Sequence, residues 1–133
     1  MKQYSFNKLI RSKLPERMIG EGVVINGEKL SEEEYIVQLK NKIVEEAKEV
    51  QQATDLAHLK MELADVLEVI HAIAEAGGFD LQDIEKERIK KRNINGYFQA
   101  NNYVNYIEVA KDNHVVIEYL ENKNRPFQLK IDE

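Results

Sequence analysis

The 133 residues contain no cysteine and no tryptophan, only two prolines and three histidines, and fewer basic than acidic side chains. Without cysteine there is no disulfide scaffold, no thiolate nucleophile and no Cys-based zinc site. His58, His71 and His114 are too scattered to form a histidine metal site. No apolar run approaches the roughly 20 residues of a membrane span, and no segment has the form of a signal peptide. The expected location is therefore cytoplasmic, with no membrane partner. Lys and Arg number 19 against 24 Asp and Glu, for a net charge of −5 and a pI near 5.3. That balance argues against a protein that binds polymeric nucleic acid by neutralising phosphates.

What is present is patterned apolar sequence. Hydrophobic residues make up 43% and charged residues 32%, enough for a core in a highly soluble chain. The length suits a single domain over 1–133, divided into a helical core at 1–98 and an extension at 99–133. Residues 1–30 read as irregular or short-stranded, with Pro15 as a break or a start. Ser31-Glu32-Glu33-Glu34 has the form of a capping box. It opens a helix to about Gln52, with Tyr35, Ile36, Leu39, Ile43, Ala47 and Val50 at helical spacing. Thr54-Asp55 starts a second helix, which Gly77-Gly78 stop. A third, highly charged helix spans Asp80 to about Asn93, and Asn95-Gly96 turns the chain. Tyr103–Val109 and His114–Tyr119 are rich in β-branched and aromatic residues, and the spacing predicts a β-hairpin. From Asn122 an extended tail is expected, and Tyr97 and Phe98 are expected to pack in the core. The predicted fold is thus mainly α, a helical bundle with a C-terminal hairpin.

The informative feature is Glu45-Glu46-Ala47-Lys48-Glu49 on the first long helix, followed by Glu62-Leu63-Ala64-Asp65 on the second. With Leu39 at zero and about 100° per residue, Ile43 lies near +40° and Tyr35 near −40°. Glu46 falls at roughly −20°, inside that apolar arc, and Glu49 at roughly −80°, on its edge. Glu62 lies between the directions of Val66 and Val69, and Asp65 points toward the Ala72 and Ala76 side. A solvated face is the bland explanation of helical glutamates, and it suits Glu45 and Glu49 paired with Lys42 and Lys48. It does not suit Glu46 and Glu62. Buried carboxylates are costly unless paired, protonated or metal-bound, and the apolar stripes hold no matching cation. Oxygen-only ligation suits Mg²⁺, or Mn²⁺.

Glu-Glu-x-x-Glu, a short gap and Glu-x-x-Asp resemble the signature of the MazG-like all-α nucleoside triphosphate pyrophosphohydrolases. The head Phe6-Asn7-Lys8-Leu9-Ile10-Arg11-Ser12-Lys13-Leu14-Pro15 is similar to the "YNKLVRDKIPE" head of the phosphoribosyl-ATP pyrophosphohydrolase-like branch, with Ser12 where that head usually has Asp. The resemblance spans about residues 6–98. It implies an all-α nucleotide pyrophosphatase fold, with Glu46, Glu49, Glu62 and Asp65 as Mg²⁺ ligands. It also implies that Glu45 sits beside the metal or helps activate water. The implied reaction cleaves the α–β phosphate bond of a nucleotide, releasing nucleoside monophosphate and pyrophosphate.

A triphosphate needs cations besides the metal. Lys8, Arg11 and Lys13 in the head, and Lys86, Lys90 and Arg92 on the third helix, are the available basic residues. On the third helix a solvated mixed-charge face is the stronger reading. His58 and His71 are read as structural. Two functions stay open: a metal-dependent pyrophosphohydrolase, with phosphoribosyl-ATP among its possible substrates, and a non-catalytic metal- or nucleotide-sensing module. Ile36, Ile43 and Ala47 on one helix and Leu67 and Ile70 on the other leave apolar faces that a charged third helix cannot cover. A homodimer or homotetramer is therefore expected, as the resemblance also implies.

Overall fold

The computed structural model describes residues 1–122. It divides into two compact units, Met1–Ile94 and Asn95–Glu133. The first carries α1 (Leu14–Gly20), α2 (Glu32–Gln52), α3 (Leu56–Gly77) and nearly all of α4 (Leu81–Asn95). The second carries α5 (His114–Leu120).

Each long helix starts and stops on its own sequence. Ser31 accepts a hydrogen bond from the Glu34 amide at 3.2 Å, and Asp55 accepts one from the His58 amide at 2.8 Å. Both satisfy amides that the first turn leaves without partners. Gly78 ends α3 with φ +76°, a left-handed conformation that favours glycine. Asp80 and Asp83 cap α4 reciprocally, each side chain accepting from the other's amide at 3.0 Å. Pro15, with its φ preset for helix, sits in the first turn of α1 and opens it.

Three residues, 53–55, join α2 to α3, and the two helices pack against each other. A connection that short makes them an antiparallel pair. Leu39 of α2 and Val69 and Ala74 of α3 are buried, and Tyr35, Ile43, Val50, Leu59, Val66 and Ile73 are half-buried around them. Full burial of a residue such as Leu39 contributes about 1.5–3 kcal/mol.

The C-terminal hairpin is not formed. Among the described residues there is no strand: 101–110 are irregular and His114–Leu120 is helical. The physical reason is a second period hidden in the same residues. Val116, Ile117 and Leu120 share one helical face and are its half-buried positions. Asn113, placed in the expected loop, instead caps α5 by accepting from the Val116 amide at 3.3 Å. Local capping and that face outweigh β propensity, which is weak without a partner strand. Phe98 is 97% exposed and Tyr97 61%, so neither is a core residue as expected. The predicted tail lies, past Asn122, outside the described residues.

Candidate functional site

Glu46 lies six residues before the end of α2 and Glu62 six residues after the start of α3. In an antiparallel pair these two positions stand at the same level. Glu49 is nearly one turn nearer the connection and Asp65 nearly one turn further from it, each on the same side of its helix as its partner. One carboxylate oxygen from each of Glu46, Glu49, Glu62 and Asp65 lies within 4.8 Å of all the others. Glu46 is buried, Glu62 and Asp65 are half-buried, and Glu49 is exposed. Glu46, inside the apolar arc of the helical wheel, is buried, and Glu49, at the edge of that arc, is exposed.

Two oxygens in this cluster, Glu46 Oε2 and Glu62 Oε2, are buried and receive no hydrogen bond. A carboxylate oxygen without a donor is costly at such a position. The Glu46 carboxyl is pushed above the ordinary range. Burial is the main cause, followed by hydrogen bonding to Glu49 and the charges of Glu49 and Asp65, against which Lys42 acts. Two carboxylates hydrogen-bond to each other only when one holds a proton. A hard divalent ion is the alternative remedy. Glu46, Glu49, Glu62 and Asp65 would hold it, each offering one carboxylate oxygen, the donor type that Mg²⁺ takes. The donor set and the two orphaned oxygens fit such an ion.

The MazG nucleotide pyrophosphohydrolase domain model matches residues 34–94. No curated protein and no solved structure matches the chain. The matched segment contains Glu45, Glu46, Glu49, Glu62 and Asp65, and the connection that sets their level.

Cations surround these acids more closely than the sequence suggested. Lys42 stands one turn before the cluster, its side chain only 19% exposed, 3.2 Å from Glu45 and 3.6 Å from Glu46. The apolar stripe therefore carries a matching cation after all, a lysine that buries its stem along the helix. Lys8 reaches Glu45 at 3.5 Å, and Arg11 donates to Asp65 Oδ1 at 2.6 Å. Both head residues lie outside the matched segment and are brought to it by the fold. Lys13 occupies the N-cap of α1, and Lys90 and Arg92 are exposed on α4, as is Lys86. His58, read as structural, has Nε2 3.0 Å from Glu62 Oε1. The signal was available: His58 and Glu62 are four apart on one helix, a spacing at which side chains meet. His71 is exposed.

Proposed function

We propose that the protein hydrolyses the α–β phosphate bond of a nucleoside triphosphate or related nucleotide, with Mg²⁺ held by Glu46, Glu49, Glu62 and Asp65. The observation that carries this reading is the convergence of four carboxylates, two with orphaned buried oxygens, inside a MazG segment. Bound there, a divalent ion neutralises phosphate oxygens and makes water a better nucleophile at neutral pH. The chain's own groups do the rest. Glu46 and Glu62, fixed by α2–α3 packing, form the rigid floor of the site, and Glu49 and Asp65 its open side. Glu45 stands outside the four and holds Lys8 and Lys42 beside them, so two ammonium groups border the place where phosphates arrive. Cations placed there stabilise charge on the α-phosphorus oxygens and on the departing pyrophosphate.

The reading also assigns a partner. Leu63, Leu67, Val37 and Val44 are 49–55% exposed on the two MazG helices. A second copy supplying the same apolar faces is their natural cover, and a four-helix arrangement of two such pairs buries them.

A malachite-green assay with added pyrophosphatase, run over the nucleoside triphosphates with and without Mg²⁺, tests the activity. The wild type should hydrolyse at least one nucleotide only when the metal is present. Glu62→Gln preserves shape and removes one charge, so it should slow that reaction by about 10²-fold or more. Glu33→Gln, on the exposed first turn of α2, is the matched control and should change little. Hydrolysis by Glu62→Gln at the wild-type rate on every nucleotide would overturn the assignment.

A further inference from the structure

Asp65 has two claimants. Its carboxylate belongs to the four-oxygen cluster, and it also accepts from Arg11, 54 residues away in sequence, at 2.6 Å. We propose that Arg11 is a substrate-positioning residue whose guanidinium a divalent ion displaces from Asp65. Loading the acidic cluster thereby frees a cation for the substrate's phosphates. The inference rests on the metal-dependent reading above and adds to it a specific exchange.

Three observations support it. First, the ion pair is half-exposed, with side chains 58% and 39% accessible, and such pairs hold weakly. A cation of twice the charge, shared by four carboxylates, outcompetes it. Second, the head is pinned on both sides of Arg11, so a released guanidinium stays at the site. Asn7 turns the chain with φ +46° and donates to Ser5, Lys8 is paired with Glu45, and the Arg11 carbonyl accepts from the Leu14 amide at 3.0 Å just before α1. A narrow cleft of about 40 Å³, lined by Asn7, Lys8, Leu9, Gln38, Lys42 and Glu45, runs between this head and α2. Third, the chemistry of the side chain suits the second partner. A guanidinium presents a planar fork that binds phosphate oxygens in pairs, as it binds carboxylates.

Positive charge on Arg11 therefore opposes the metal and favours the nucleotide. This sets it apart from a residue that merely holds Asp65 in place. After chelator dialysis, Mg²⁺ titration by calorimetry on wild type, Arg11→Met and Arg11→Lys reads the first effect, and steady-state kinetics the second. Arg11→Met should bind Mg²⁺ about two- to fivefold tighter, the size of a half-exposed ion pair expressed as affinity. Its KM for the nucleotide should rise about tenfold, with kcat changed far less. Arg11→Lys keeps the charge and should bind Mg²⁺ as the wild type does, while its lost fork still raises KM. If Arg11→Met binds Mg²⁺ no tighter than the wild type, or if Arg11→Lys binds it as tightly as Arg11→Met, the exchange is wrong. A wild type that binds no Mg²⁺ overturns the metal-dependent reading itself and the exchange with it.

Discussion

Glu46 is the residue on which stability and the proposed metal binding meet. Its carboxyl is raised above the ordinary value by burial and by Glu49 and Asp65, with Lys42 opposing. A carboxyl raised on folding binds more protons in the native than in the unfolded state, between the unfolded value of 4.5 and its own folded value. Its contribution therefore favours the fold below that window and is lost as pH rises through it. Glu46→Gln removes the charge, so without metal it should melt above the wild type at pH 8. The expected gap is about 3–5 °C, the effect of roughly 1 kcal/mol in a domain of this size. The gap should close as pH falls toward the ordinary carboxylate range, and differential scanning calorimetry from pH 4 to 8 reads it. A gap that widens on acidification would contradict the assignment of burial as the main cause. With metal the order should reverse under the proposed reading, because Mg²⁺ held by the cluster would stabilise the wild type according to its occupancy and would need Glu46 ionised.

At the level of elements, the site depends on the length of the α2–α3 connection and on the cap that ends it. Asp55 fixes the first turn of α3 through the His58 amide, and His58 in turn reaches Glu62. Asp55→Ala should cost about 1 kcal/mol, the usual value of an N-cap, and lower the melting temperature by a few degrees. The helix remains, so Mg²⁺ should still stabilise the variant. Inserting one alanine between Ala53 and Thr54 is harsher. It alters the level and rotation of α3 against α2, and should abolish Mg²⁺-induced stabilisation while circular dichroism still reports a helical protein.

At the scale of the whole molecule, three buried apolar residues, Leu39, Val69 and Ala74, are a small core among the described residues. Two helices of 21 and 22 residues leave Val37, Val44, Leu63 and Leu67 about half-exposed, the face that the proposed second copy would cover. Light scattering at micromolar concentration should give a mass that is a multiple of 15.5 kDa. Leu63→Glu with Leu67→Glu should shift that mass toward one chain and lower the melting temperature, since charge cannot be buried at such an interface. A single-chain mass for the wild type would refute the second copy as the cover.

Helix starts, stops and the acidic pattern were legible in the residues because they are local. Ser31, Asp55 and Gly78 act on amides and angles within four residues, and the wheel position of Glu46 follows from helical period alone. The sequence by itself thus determined three long helices and set Glu46 and Glu62 on apolar faces, of which the structure buries Glu46 and half-buries Glu62. It did not decide the C-terminal segment, where Val116, Ile117 and Leu120 suit either period and, among the described residues, no partner strand pairs with 101–110. Nor did it decide which cations meet which acids. Lys8 to Glu45 and Arg11 to Asp65 join residues far apart in the chain, and only tertiary packing brings the head onto α2 and α3. Charge attracts without regard to sequence separation. Its partners are therefore chosen by the fold, whereas caps and periods are chosen by neighbours.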